Sequence, residues 1–251
     1  RFEVLAERPV LQPRRFTPQI GVGDLLRFNA GRPMPVTVPY SPGLHDLDGD
    51  GQLDLTGCWN YAYRPGWPAD GVVCYRRTAA EAWPFGDLVR LRFMRGGSAE
   101  PQFFGYTYTA ADFADFNRDG RPDLVLTRRG ANAATFYLNA GQRERGGMPR
   151  FREAGTVKLV GWQACRAVDL DGDGAVDLVV NGEFIRNENP DGWPFRAAKP
   201  SRLNAGRQPC FVDINSDGCL DAVCLQGADA VQPDFYRVAW RPSSSSPSGG
   251  C

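Results

Sequence analysis

One acidic nine-residue pattern, Asp-x-(Asp/Asn)-x-Asp-Gly-x-x-Asp, occurs four times in this chain, at Asp46–Asp54, Asp115–Asp123, Asp169–Asp177 and Asp213–Asp221. In such a loop the side chains at positions 1, 3 and 5 converge on one point. Gly at position 6 permits the sharp turn, and the backbone carbonyl at position 7 adds an oxygen. The candidate metal ligands of the first loop are therefore Asp46, Asp48, Asp50, the carbonyl of Gln52, and Asp54. Those of the second are Asp115, Asn117, Asp119, the Arg121 carbonyl and Asp123. The third offers Asp169, Asp171, Asp173, the Ala175 carbonyl and Asp177, and the fourth Asp213, Asn215, Asp217, the Cys219 carbonyl and Asp221. All are oxygen donors, which suits a hard cation and calcium best, about four ions in all. Asn117 and Asn215 keep an oxygen but lose a charge, so the two all-Asp loops are expected to bind more tightly.

The residues after each loop exclude an EF-hand. That motif needs a bidentate Glu at position 12 and a helix, whereas position 12 here is Gly57, Leu126, Val180 or Cys224. The Asp at position 9 must complete the shell. After it come short apolar stretches rich in β-formers, Leu55-Thr56, Leu124–Thr127, Leu178–Val180 and Ala222–Leu225, so each loop feeds a strand. The loops start 69, 54 and 44 residues apart. A four-stranded propeller blade repeats every 40–50 residues or so, with longer loops taking up the excess. Around the second loop four strands can be counted, at Tyr106–Phe113, Leu124–Thr127, Ala134–Leu138 and Thr156–Val160.

The signature Asp-x-Asp-x-Asp-Gly-x-x-Asp-Leu followed by a strand resembles the FG-GAP/VCBS repeat family, the calcium-bearing propeller blades also found in integrin α-subunits. The resemblance covers roughly residues 36–240 and implies an all-β fold, a β-propeller of four-stranded blades. It does not imply one function, because such propellers serve adhesion, recognition and enzyme scaffolds alike. The expected organisation is N-terminal strands in 1–35, propeller blades in 36–241 and a Ser/Gly-rich tail in 242–251. The last blade offers three strands, near 209–212, 222–225 and 235–240, while spare strand candidates lie at Phe2–Leu5, Asp24–Phe28 and Val36–Val38. Two readings stay open. Either the N-terminus completes a ring of four or five blades, or the chain is a segment of a larger ring.

The chain's 251 residues suit one all-β domain, and its 29 Gly and 20 Pro suit many turns. No apolar run is long enough for a membrane span. The N-terminus lacks a signal peptide's apolar core, so a mature, trimmed chain or a fragment is expected. Net charge is zero, with 21 Asp against 8 Glu and 27 Arg against 2 Lys. No basic stripe is interleaved with stacking aromatics, which argues against nucleic acid. Seven cysteines show no zinc spacing. A cross-hairpin disulfide between Cys58, following the second strand, and Cys74, on the third, competes with buried free thiols. Cys251, on the tail, is the candidate for a bond to another chain.

His45, the only histidine, precedes the first ligand Asp46. A local hydrogen-bonding role is expected of it in preference to general-base catalysis. There is no Gly-x-Ser-x-Gly elbow or phosphate-cradling loop, and an enzyme is not expected. The candidate ligand surface is Trp59, Tyr61, Tyr63, Arg64 and Trp67, in a loop opposite the acidic ones. The competing reading folds those aromatics back to cap the sheet. Trp83-Pro-Phe85 and Trp193-Pro-Phe195 read as lead-ins to outer strands. The expected function is a secreted, extracellular or cell-surface, calcium-stabilised propeller that binds a protein or glycan partner or associates with itself. The alternative is a module of a polysaccharide-degrading, lyase-like enzyme.

Overall fold

In the computed structural model the described residues are 40–59, 71–77, 85–96, 102–103, 108–128, 131–143, 147–159, 165–180, 182–203, 207–213, 219–227 and 236–241. They form four β-sheets and no helix, so no described helix could cross a membrane. The first sheet is an antiparallel meander of β1 (Tyr40–His45), β2 (Asp54–Trp59), β3 (Gly71–Arg77) and β4 (Phe85–Arg90). The second holds β5 (Arg92–Met94), β6 (Gln102–Phe103), β7 (Tyr108–Ala114), β8 (Asp123–Arg128), β9 (Ala133–Arg143) and β10 (Pro149–Lys158), in the order β6-β5-β10-β9-β8-β7. β11 (Cys165–Val168), β12 (Asp177–Val180), β13 (Glu183–Ile185) and β14 (Ser201–Arg202) make the third. The fourth has three described strands, β15 (Arg207–Val212), β16 (Asp221–Gly227) and β17 (Tyr236–Arg241). The first two sheets belong to one compact unit, Phe16–Ala164, and the last two to another that includes Cys165–Cys251.

Each acidic loop joins the first two strands of an antiparallel meander, β1 and β2, β7 and β8, β11 and β12, or β15 and β16, and its position-9 Asp is the first residue of the second of these. The strands form where β-branched, aromatic and leucine side chains can be buried on a pleated surface. β8 is buried on both faces. Leu124 and Leu126 join a cluster with Leu47, Val72, Leu91, Phe113, Tyr137 and Phe151, while Val125 points the other way. Aromatic pairs knit this unit. Phe93 meets Tyr137 edge-on at 5.1 Å, and Phe116 meets Phe136 edge-on at 5.0 Å.

Three details differ from expectation. Against the expected Ala134–Leu138 and Thr156–Val160, the hairpin has β9 running on to Arg143 and β10 starting at Pro149 and ending at Lys158, through register shifts at Pro149/Phe151 and Glu153/Gly155. Its added residues include Pro149, Arg150, Arg152, Glu153 and Gly155, which carry no strand signal of their own; neighbouring backbone supplies it. β5, three residues long, pairs parallel with β10, a pairing no local pattern announces.

The third difference concerns the cysteines. Cys58 lies within β2, and Cys58 and Cys74 are buried free thiols, while Cys210 is an exposed one. The register sets Cys74 opposite Thr56 and Cys58 opposite Val72. The two thiols are thus diagonal neighbours, with Cα atoms some 7–8 Å apart by general sheet geometry, beyond the 4.4–6.8 Å or so that a disulfide spans. Burial pushes both thiols well above their ordinary range. The readings for 1–35, the tail 242–251 and Cys251 fall outside the described residues.

Candidate metal centre

Each described loop is built by its own carboxylates before any ion is considered. The position-1 Asp accepts from the amide of the position-6 Gly: Gly51 to Asp46 Oδ2 at 2.9 Å, Gly120 to Asp115 Oδ2 at 2.8 Å, Gly174 to Asp169 Oδ2 at 2.8 Å. The position-5 Asp accepts from the amide two residues on, from Gln52, Arg121 and Ala175. Those turns need left-handed backbone at positions 4 and 6. Glycine fills both in the first and third loops, Gly49 with Gly51 and Gly172 with Gly174. In the second loop position 4 is Arg118, at φ 57°, which carries a side-chain clash that glycine avoids. Arg118→Gly is expected to raise stability by up to about 1 kcal/mol, net of glycine's entropic cost. A thermal melt in chelator checks it, and a lower midpoint contradicts it.

The position-9 Asp turns out to be a latch. Asp54, Asp123 and Asp177 are fully buried, and both oxygens of each accept backbone amides. Oδ2 takes the amide of loop position 2, from Leu47, Phe116 and Leu170 at 3.1–3.2 Å. Oδ1 takes an amide from the third strand or just beyond it, from Arg77, Asn139 and Asn187 at 2.7–2.8 Å. Asn139 and Asn187 then reach back with Nδ2 to the position-8 carbonyls of Pro122 and Val176, at 3.2 and 3.4 Å. Asp221 is equally buried at the head of β16.

The carboxylates converge as a result. Asp46, Asp48 and Asp54 each place a carboxylate oxygen within 4.8 Å of the others, and so do Asp169, Asp171 and Asp177. Asp50 and Asp173 sit beside them through Asp50 N to Asp48 Oδ1 and Asp173 N to Asp171 Oδ1, at 3.2 and 3.3 Å. In the second loop Asn117 Oδ1 accepts from Asp119 N while its Nδ2 donates to Asp119 Oδ2 at 2.9 Å. In the fourth loop Asp213, Cys219 and Asp221 are described; Asn215 and Asp217 are not. Trp59 closes β2, with its backbone opposite Gly71, whereas Tyr61, Tyr63, Arg64 and Trp67 lie outside the described residues.

These donor sets fit a calcium ion. They are all oxygen, carry three or four carboxylates, and leave one buried oxygen, Asp48 Oδ2, without an aligned hydrogen bond. Burial, opposed by the amide bonds and reinforced by neighbouring carboxylates, raises Asp54 and pushes Asp123 and Asp177 up to about 6. The consequence for metal-free protein has a definite sign. Between about pH 3.8 and 6 the unfolded chain releases these protons while the folded chain keeps them, so stability falls as pH rises. Chelated protein is expected to melt higher at pH 5 than at pH 7.5. With calcium the order reverses, because the ion needs the deprotonated form. Melts at both pH values, with and without calcium, check it.

The sequence reading missed Arg76 and Arg186, which sit one residue before the latching amides of Arg77 and Asn187. Arg76 Nε pairs with Asp48 Oδ2, and Arg76 Nη2 lies 3.8 Å from Asp50 Oδ2. Arg186 Nε is 2.6 Å from Asp171 Oδ2, and its Nη2 is 2.7 Å from Asp173 Oδ2. Arg121 pairs with Asp119 inside the second loop itself. The available signal was position: an Arg ending the third-strand run, with a β-forming residue before it.

His45 sits on β1 against β7. Its ring centroid is 5.1 Å from that of Phe113, and Nε2 is 3.6 Å from Asp112 Oδ1. A Cβ at Gly43 would lie 2.5 Å from His45 Nε2, so glycine there lets the imidazole in. That is a packing position, with a carboxylate beyond hydrogen-bonding distance.

Acidic loops that each open the second strand of a small sheet define a repeat-built, all-β protein. Residues 115–180 match the FG-GAP-like repeat family. The match runs from the first candidate ligand of the second loop to the last residue of β12. No curated protein matches the chain.

Proposed function

We propose that this chain is a calcium-stabilised β-propeller module, its four sheets serving as blades, that works outside the cytoplasm in adhesion, recognition or assembly and turns over no substrate. The convergence of three carboxylates within 4.8 Å, in the same place in two sheets, carries the reading. The FG-GAP-like repeat supports the propeller. In each loop the ion would be held by the carboxylates of positions 1, 3 and 5, the position-7 carbonyl and the latch. It would neutralise a cluster of like charges that otherwise repel one another. The partner would be a protein, a glycan or a second copy, and the aromatic loop after β2 is the surface for it.

Calorimetric titration of chelator-treated protein is expected to show about four sites with dissociation constants of roughly 0.1–1 mM, the range of extracellular modules. Absence of any calcium heat, with no change in the melt, would remove the reading. Sedimentation in millimolar calcium, with and without reductant, tests assembly: a species that stays monomeric in both rules out self-association.

A further inference from the structure

Arginine and position 3 vary together along the chain. In the first and third sheets position 3 is Asp, Asp48 or Asp171, and the residue before the latching amide is Arg76 or Arg186. In the second sheet position 3 is Asn117, and the residue in that place is Leu138, before the latching amide of Asn139. In the fourth sheet position 3 is Asn215. There β16 pairs Ala222 with Arg241, as β2 pairs Leu55 with Tyr75, and the next residue in the sequence, Pro242, lies outside the described residues. Among the described residues, an extra carboxylate in the loop goes with a cation reaching over from the third strand of the meander, and Asn117 goes with the uncharged Leu138 in that place.

We propose that Arg76 and Arg186 are tethered counter-ions that occupy the cation position of their loops in metal-free protein, and that calcium must displace them. Each guanidinium bridges the carboxylates of positions 3 and 5, two of the oxygens an arriving ion needs. Guanidinium suits this bridging, since its planar fork offers donors to two carboxylates at once. Yet Asp48 Oδ2 is buried and its contact with Arg76 is not an aligned hydrogen bond, so the arginine fills the place without saturating it. Both arginine side chains are 42–49% exposed and so have solvent to swing into. The chain therefore carries two kinds of loop. In the first and third an internal cation holds the loop folded until calcium replaces it; in the second the matching place on the third strand of the meander is Leu138, which carries no charge.

This rests on calcium being the ligand, and the experiment separates the two claims. Arg76→Gln, Arg186→Gln and the double variant are titrated with calcium alongside the parent chain, and each is melted in chelator. A divalent ion about 5 Å from a removed unit charge gains roughly tenfold in affinity. The expected result is about tenfold tighter binding at one site in each single variant and at two in the double, with a lower chelator melt in all three. Parent binding with no tightening in the variants overturns the displacement and leaves the calcium reading intact. Binding by the variants alone supports the tethered cation and shows that it excludes calcium from the parent. Binding by neither overturns both. Arg76→Lys, which keeps the charge and loses the fork, is expected to bind like the parent to within a few-fold; tightening as large as that of Arg76→Gln overturns the charge argument.

Discussion

Removing calcium from the protein is expected to lower its melting midpoint by well over 10 °C, and adding calcium back is expected to restore it. An ion that binds only the native state contributes RT ln(1 + [L]/Kd), about 2.7 kcal/mol per site at a hundredfold excess. Even two occupied loops would rival half the stability of an ordinary domain. The metal-free state is not expected to collapse, however. The loops are tied by amide-to-carboxylate bonds of their own, and Arg76 and Arg186 lie against the loop carboxylates. The expected state in chelator is folded and weaker. Scanning calorimetry in EDTA and in millimolar calcium measures the gap, and identical melts would contradict it.

The second large effect concerns the latch. Asp123→Ala is expected to cost about 3 kcal/mol even in chelator, because the buried amides of Phe116 and Asn139 lose their acceptors together. Asp119→Asn, at an exposed position in the same loop, is expected to change chelator stability by less than about 1 kcal/mol. It should still weaken calcium at that loop. Urea unfolding of the two variants in EDTA compares them directly. Equal losses would show that the position-9 carboxylate is not the tie between loop and sheet.

The loops were legible because their chemistry is local. Nine residues carry every donor, and the Gly at position 6 marks the turn. The strand after each loop was legible for the same reason, since Leu124–Thr127 or Leu178–Val180 announces burial by composition alone. What stayed hidden depends on partners far along the chain. Asp123 reads as a ligand until Asn139, 16 residues on, is seen to donate to it. Nothing local ties Arg76 and Arg186 to the acidic loops until the register sets them beside position 3. The Cys58–Cys74 pairing failed on a two-residue offset in register, a quantity that composition does not carry. The upstream half of β10 has residues of poor strand propensity, and its partners on both sides decide its conformation.

The strand β5 has a further consequence for how this molecule could be cut or copied. By chain order Arg92–Met94 comes directly after the first sheet, yet its hydrogen bonds go to Arg150–Arg152 of the second. β5 and its partner β6 thus finish one border of the second sheet from upstream of its acidic loop. A fragment trimmed to the boundaries of the matched segment, 115–180, would lose β5, β6 and β7. It would leave both margins of its sheet bare, with open rows of amides and carbonyls that invite pairing with other chains. For the second sheet the self-sufficient unit is therefore longer than the matched repeat and reaches back to Arg92.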